Sequence, residues 1–240
     1  MSSDEAAFFR TYAPAVSANS FTPIPVRPGT KVSRLARWQF LCARSLAPSE
    51  LQHFLAKYPY DSVALVCSAI IAIDIDSLDE TRAAFLQEVV EGILGPTPFL
   101  RVGRPPKRML IYRSTDPWPR TQRLRDIEIL GSKAYVLAIG IHPHTGRPYE
   151  WTGGASPTNL RFDQVPAVGN DQIQALIRQI QPDLASAAQV VGETLTTAAT
   201  PAPTIVPVRG DPWVKNRRGL VVDGRDAYLA HLICTQAQAP

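Results

Sequence analysis

The stretch VALVCSAIIAIDID, residues 63–76, decides the fold class of this chain. Its nearly unbroken apolar character and its β-branched residues predict strand structure that is buried on both faces. The run ends abruptly in Asp74 and Asp76. The segment that follows has Ser77, then Glu80 three residues later, and then apolar residues at helical spacing until a Gly-Pro pair. This order predicts buried strand structure followed by a helix that Ser77 caps.

Short apolar runs and turn residues alternate through much of the remaining chain. The 22 prolines predict many turns and short strands rather than a helical bundle. Further strands are predicted at 99–103, 107–113, 126–130 and 134–139, and further helices at 4–13, 49–57 and 171–180. Because strands and helices are mixed, and the turns are short enough for antiparallel pairing, the sequence predicts the α+β class.

At 240 residues the chain is long enough for one large domain or two small ones. Residues 191–208 are rich in Thr, Ala and Pro and carry almost no charge, which is typical of a linker. We therefore expect a main domain over 1–190, a linker over 191–208, and a short basic and helical C-terminal segment over 209–240.

Composition excludes several classes of protein. A hydrophobic share of 45% and a charged share of 19% argue against global disorder. The sequence has no run of 18 apolar residues and begins with polar residues, so neither a membrane span nor a signal peptide is predicted. Its three cysteines lie far apart and predict neither a disulfide framework nor a zinc cluster. These features indicate a cytoplasmic protein.

The acidic residues at the end of the apolar run are candidate metal ligands. Asp74 and Asp76 are two apart on a strand, so they leave the same face, where two carboxylates repel and prefer a cation. Mg²⁺ prefers such ligands. The alternative is that they only mark a strand end and cap the next helix. A third carboxylate would come from the strand at 126–130, from Asp126 or Glu128, and Glu128 is favoured because isoleucines flank it.

Positive charge is concentrated in one part of the sequence. The net charge is only +4, but residues 101–125 contain eight basic residues and one acid. Read alone, such a run is a solvated surface. Beside carboxylates, Arg101, Lys107 and Arg108 are suited to a triphosphate or a nucleic-acid backbone, because Arg bridges phosphate oxygens bidentately. We expect His142 to contact phosphate rather than a metal. No Walker-type phosphate loop occurs.

Four segments of the sequence occur in a characteristic order and spacing: FTPIPVRPGTK at 21–31 followed by Trp38, IDID at 73–76, IEI at 127–129, and IHPHTGRPYEW at 141–151. Together they resemble the primase-polymerase domains of the archaeo-eukaryotic primase superfamily, which occur mainly in phage and plasmid replication proteins. The resemblance covers about residues 15–165.

The resemblance implies a template-directed nucleotidyltransferase that initiates or extends primers. It implies an RNA-recognition-like catalytic sheet with an additional N-terminal α/β part. Two ions, Mg²⁺ or Mn²⁺, would be held by Asp74, Asp76 and Glu128. The substrates would be a DNA template with its primer and nucleoside triphosphates, and a replicative helicase is a further expected partner, since family members often continue into one.

This sequence departs from the family pattern at one position. Many members carry a histidine before a strand like residues 110–113, and Met109 stands there, although a methionine cannot bond a phosphate. Alternation along the strand places Lys107 on the same face as Met109, and Arg108 on the opposite face. Either Lys107 and Arg108 take over the role of the histidine or incorporation is weakened, and the strand parity favours Lys107 over Arg108.

Two other functions fit parts of the same pattern. A metal-dependent nuclease would use the same carboxylates with Lys133, although the spacing from Glu128 differs from the usual Glu-x-Lys. A non-catalytic replication-initiator module would need the basic run but not the acidic pair.

Overall fold

The structure is a computed structural model that describes residues 7–67, 69–116 and 121–180. The predicted linker at 191–208 and the C-terminal segment at 209–240 lie outside these residues. The helices are α1 (Phe8–Ala18), α2 (Pro48–Lys57), α3 (Glu80–Leu94) and α4 (Asn170–Ile180), with short 3₁₀ turns η1 (Trp38–Cys42) and η2 (Phe162–Gln164). The strands are β1 (Pro23–Val26), β2 (Ser62–Cys67), β3 (Ile70–Ile75), β4 (Leu100–Arg104), β5 (Lys107–Ser114), β6 (Gln122–Arg123), β7 (Ile127–Leu130), β8 (Ala134–Ile139), β9 (Glu150–Trp151) and β10 (Ala167–Val168). The predicted α+β class is confirmed.

The apolar run at 63–76 is buried strand structure, as predicted, and its two halves lie in different sheets. Its first half is β2, the middle strand of a small antiparallel sheet with the order β1-β2-β8. Its second half is β3, which lies inside a larger sheet with the order β6-β7-β3-β5-β4-β9, where β10 joins β5 in parallel. The acidic end of the run therefore belongs to an interior strand of the larger sheet.

Alternation along β3 divides the core into two layers. Ile71, Ile73 and Ile75 pack with α3 and α4 on one face of the larger sheet. Ile70 and Ala72 point the other way and pack with residues of β2, β8 and α1. Each fully buried Ile contributes about 1.5–3 kcal/mol by removing apolar surface from water. This parity places Asp74 on the face that looks toward the small sheet.

The boundaries of α1 and α3 differ from the sequence prediction, and α1 begins at Phe8 rather than at residue 4. The cap of α3 is Asp79, whose Oδ1 accepts a hydrogen bond from the backbone N–H of Arg82 at 2.8 Å. Ser77 instead accepts from the backbone N–H of Asp79, so the predicted Ser77 cap was wrong by two residues. Helix α1 continues through Pro14 to Ala18 rather than ending at residue 13, because its apolar face is buried beyond the proline.

The outer edge of the small sheet is rich in proline. β1 has the sequence Pro-Ile-Pro-Val and pairs with β2 along one side. The carbonyl of Thr22 accepts from the Val66 N–H at 3.1 Å, on the β2 side. The carbonyl of Pro25 points away from β2 and accepts from the Arg34 N–H at 3.0 Å. The two prolines therefore occupy the positions whose backbone faces outward.

None of the described helices is both long enough and apolar enough to cross a membrane.

Candidate active site

A cleft of about 330 Å³ opens beside the Asp74 face of the larger sheet. Residues of the small sheet and of the segment after β8 form its other wall. The cleft is lined by the carboxylates Asp74, Asp76 and Glu128, by the basic residues Lys31, Arg101, Arg104, Lys107, Arg108, Arg123 and His142, and by the rings of Tyr135 and Tyr149. Acidic and basic side chains that are distant in sequence thus share one concave surface.

A cross-strand row in the larger sheet brings four of these positions together. Glu128 of β7 lies opposite Asp74 of β3, and Asp74 lies opposite Met109 of β5. Met109 in turn lies opposite Arg101 of β4. Directly opposed residues of antiparallel strands place their side chains on the same face. The row therefore sets two carboxylates beside a buried arginine, with the methionine between them.

The Asp74 carboxyl lies in the most desolvated part of this acidic group. Burial raises its pKa, while Arg101 and Lys31 act to lower the pKa and the charges of Asp76 and Glu128 raise it further. The negative charge of Asp74 is thus disfavoured by burial and by two neighbouring carboxylates at once. A cation bound among the three carboxylates would relieve both effects.

The other two carboxylates contact basic side chains. Asp76, whose side chain is 63% exposed, accepts from Lys107 Nζ at 2.6 Å. Glu128 accepts from Arg123 Nε at 2.8 Å. In the part of the chain that the structure describes, no three acidic, His or Cys side chains lie close enough to form a ready metal-binding group. The oxygen ligands fit a divalent ion chemically, and Asp76 and Glu128 would exchange their basic partners for it.

Adjacent residues of β5 point to opposite sides of the sheet. Lys107 lines the cleft and contacts Asp76. The guanidinium of Arg108 donates to Gln87 at 2.8 Å and to Glu80 at 2.7 Å, both on α3, and to the Pro106 carbonyl at 2.9 Å. Arg108 also lines the cleft, but its guanidinium is hydrogen-bonded to α3, whereas the ammonium of Lys107 contacts a carboxylate of the cleft.

Arg101 is a buried cation beside the acidic group. Its side chain donates to the Leu137 carbonyl and stacks over the Tyr149 ring, with 4.5 Å between the guanidinium carbon and the ring centre. The residue is only 8% exposed, and burial lowers its pKa while Asp74 acts to raise it. Its Nε is buried and has no hydrogen-bond partner among the described residues. An acceptor from a bound substrate would satisfy this orphaned donor.

His142 is held in one tautomer by the turn that follows it. Its Nδ1 accepts from the backbone N–H groups of His144 and Thr145, each at 3.3 Å. Burial lowers the pKa of His142, and neighbouring positive charges, Lys31 first among them, lower it further. The imidazole is therefore neutral at pH 7 and carries its proton on Nε2, which makes that atom a hydrogen-bond donor.

Gly103 leaves the room that His142 and Tyr149 occupy. A Cβ at this position would lie 2.5 Å from Cε1 of Tyr149 and 2.7 Å from Cδ2 of His142. The two rings also contact each other edge to face, with centres 5.3 Å apart. A side chain at residue 103 would displace both rings from the wall of the cleft.

Outside the predicted basic run, the structure adds Lys31, Tyr135 and Tyr149 to the polar lining of the cleft, and the sequence prediction singled out none of them. Lys31 and Tyr149 lie inside two of the segments that carry the family resemblance, so their motifs were the signal. Tyr135 follows the Glu128 strand and gives no such signal. It joins the site because its hydroxyl donates to the Lys31 carbonyl and accepts from the Ser33 N–H at 3.1 Å.

The fold and the cleft together define an α+β domain with an acidic and basic site suited to phosphate chemistry. The chain belongs to the bifunctional DNA primase/polymerase N-terminal family, Prim-Pol, whose model matches residues 13–167. The match confirms the resemblance found in the sequence, and it contains every predicted site residue. No curated protein matches the chain.

Proposed function

We propose that this protein is a template-directed nucleotidyltransferase that initiates or extends primers in phage or plasmid replication. The observation that carries the proposal is the row from Glu128 through Asp74 to Arg101, which sets acidic and basic groups side by side in one cleft. Membership of a primase/polymerase family supports a nucleotide and a DNA strand as the substrates. A replicative helicase as partner stays a prediction.

The carboxylates of Asp74, Asp76 and Glu128 would hold two divalent ions, Mg²⁺ or Mn²⁺. When bound, such a pair supplies Lewis-acid chemistry at the primer 3′ oxygen and at the leaving pyrophosphate. The desolvation of Asp74 and the charges of its two neighbours, which together raise its pKa, support cation binding there.

Three basic groups of the cleft would bind the triphosphate. Lys107 is 24% exposed and would transfer from Asp76 to a phosphate oxygen when the carboxylate takes a metal ion. Arg101 would satisfy its orphaned Nε–H on the substrate, and neutral His142 would donate from Nε2. Each of the three would offer a hydrogen-bond donor to the substrate, which suits an oxygen-rich anion. Arg104 and Arg123, which also line the cleft, would contact the template backbone.

The nuclease alternative depends on Lys133, which is not among the residues that line the cleft. Lys133 lies in the turn between β7 and β8 with a positive φ of 64°, and its backbone N–H contacts the Cys42 thiol. The position of Lys133 therefore favours the polymerase over the nuclease as the function of the cleft.

The test is incubation of the full-length protein with a primed DNA template, labelled nucleoside triphosphates, and Mg²⁺ or Mn²⁺. Extension supports the proposal, degradation of the primer indicates a nuclease, and binding without chemistry indicates an initiator module. Asp74→Asn should reduce incorporation by roughly 10²-fold or more. Asp163→Asn is the matched control, because Asp163 pairs with Arg161 at the surface, away from the cleft. Equal incorporation by the two variants would refute the site.

A further inference from the structure

A second groove of about 340 Å³ lies between the 3₁₀ turn at Trp38–Cys42 and α2. Its lining combines aromatic and basic side chains. The rings are Trp38, Phe40, Phe54 and Tyr58, and the cations are Arg34, Arg37, Arg44 and Lys57. We refer to this surface as the η1–α2 groove. None of its residues lines the candidate active site.

Of the four rings of the η1–α2 groove, Phe40 is presented to solvent, whereas Trp38, Phe54 and Tyr58 are half-buried. Phe40 is 64% exposed, the largest value among the exposed large apolar side chains of the described residues. Tyr58 is half-buried and has two cations near its ring. The guanidinium carbon of Arg34 lies 5.8 Å from the ring centre, and Lys57 Nζ lies 5.4 Å from it.

The groove carries more positive charge than the carboxylates of the described residues neutralise. Arg34 is paired with Asp61 at 2.7 Å, and Arg44 with Glu50 at 2.6 Å. Arg37 and Lys57 are exposed, and neither has a carboxylate partner among the described residues. Two unneutralised cations beside an exposed ring are complementary to a ligand that carries both negative charge and flat apolar faces.

The groove adjoins the candidate active site through one pair of rings. Trp38 lines the groove and packs edge to face on Tyr135, with ring centres 4.7 Å apart. Tyr135 lines the catalytic cleft and holds the backbone of Lys31 and Ser33. A polymer lying in the groove would therefore be one aromatic pair away from the cleft.

We propose that the η1–α2 groove binds unpaired nucleotides of the template strand next to the active site, which rests on the proposed polymerase function. Bases stack on the exposed ring of Phe40, and Arg37 and Lys57 contact backbone phosphates. Single-stranded nucleic acid supplies both chemistries, because every base has a π face and every linkage a charge. An acidic peptide supplies only the charge, and a duplex keeps its bases stacked inside.

The first experiment measures binding without chemistry. Full-length protein is titrated against a fluorescent single-stranded 20-mer with EDTA and no nucleotide, and anisotropy gives the dissociation constant. Phe40→Ala should weaken binding by roughly fivefold to a hundredfold, the range for loss of one base–aromatic stack. The matched control is Phe85→Ala, which removes another exposed ring, 52% exposed on α3, outside the groove.

The second experiment measures the electrostatic contribution. The slope of log binding constant against log salt concentration should become shallower by about 0.7 in Arg37→Ala, and by the same amount in Lys57→Ala, because each variant loses one phosphate contact. Arg178→Ala on α4 is the matched control and should leave the slope unchanged. Because Phe40 and Arg37 are exposed, thermal unfolding of the variants should match that of the wild type.

The outcomes separate the groove from its rivals. Wild-type binding by both Phe40→Ala and Arg37→Ala overturns the proposal. The proposal is also overturned if Phe40→Ala has no effect and Arg37→Ala weakens the binding of the 20-mer and of polyglutamate equally, because that result indicates a general anion surface. It is overturned as well if Phe40→Ala weakens the binding of duplex DNA as much as that of single-stranded DNA. A wild type that fails to extend primers but shows Phe40-dependent binding refutes the polymerase and supports the groove. Normal extension with Phe40-independent binding refutes the groove alone.

Discussion

Lys107 and Arg108 are neighbours with the same charge, and the structure predicts opposite consequences for their removal. Lys107 lies in the cleft, where it contacts Asp76, and Arg108 is bonded to α3. Lys107→Ala should impair use of the nucleotide and leave the fold intact. Arg108→Ala should destabilise the fold and leave use of the nucleotide nearly intact.

The magnitudes follow from the contacts. The Lys107–Asp76 pair is exposed at Asp76, and such pairs contribute about 0–1 kcal/mol, so the free energy of unfolding should change little. A charge-assisted contact with phosphate contributes about 1.5–3 kcal/mol, so KM for the nucleotide should rise by roughly tenfold to a hundredfold. Arg108 is 17% exposed and makes three hydrogen bonds, of which the bond to exposed Glu80 counts least, so its loss should cost about 1–2 kcal/mol.

The assays are steady-state incorporation at varied nucleotide concentration and urea unfolding followed by circular dichroism. Lys107→Arg is the rescue variant, and it should keep KM within a few-fold because it restores a cation. An unchanged KM in Lys107→Ala would refute the assignment of Lys107. A tenfold rise in KM for Arg108→Ala at unchanged stability would show that the β5 side chains serve the reverse roles in the working enzyme.

Three further predictions concern stability and the shape of the cleft. Asp74→Asn should reduce incorporation by roughly 10²-fold or more. Thermal unfolding of this variant in EDTA should show equal or higher stability, because burial raises the pKa of Asp74 and disfavours its charged form. A clear loss of stability would contradict this reasoning. Gly103→Ala should lower incorporation, because a Cβ there would displace the rings of His142 and Tyr149. The control is Gly92→Ala on α3, where a Cβ meets nothing within 4 Å and should stabilise the protein by about 0.5–1 kcal/mol in urea unfolding. Equal incorporation by the two variants would show that the two rings adapt. Hydrogen bonds from Arg44 and then from the Ala47 N–H lower the pKa of Glu50 from 4.5 to about 2, so the stability that this charge adds is present above pH 4.5 and is lost toward pH 2. The difference in unfolding free energy between wild type and Glu50→Gln should therefore shrink from pH 5 to pH 2, and a constant difference would refute the linkage.

Local periodicity was enough to predict which way the β5 side chains point. Alternation alone separates Lys107 and Met109 from Arg108, and the structure has the same separation. That Asp74 and Glu128 share one cleft was predictable for a similar reason, since a charged residue inside an apolar strand needs a partner. These predictions depend on residues that are close in sequence.

The parts that sequence did not predict depend on contacts between distant segments. Nothing near residues 63–76 indicates that β2 and β3 enter different sheets, because both halves are equally apolar. The cap of α3 moved to Asp79 because both Ser77 and Asp79 are good capping residues, and the choice between them follows from how the chain leaves β3. Tyr135 joins the site through hydrogen bonds to a loop about a hundred residues earlier.

The proline pattern of β1 determines how far the small sheet can grow. Its outward-facing positions, Pro23 and Pro25, have no N–H, so this edge offers carbonyl acceptors but no amide donors to a further strand. A strand from another chain could donate hydrogen bonds to this edge but would receive none from the two prolines. The Pro25 carbonyl, moreover, already accepts a hydrogen bond from the Arg34 N–H. The edge thus resists the intermolecular pairing that leads exposed strands to aggregate, and it does so through covalent structure, which holds before folding is complete as well as after.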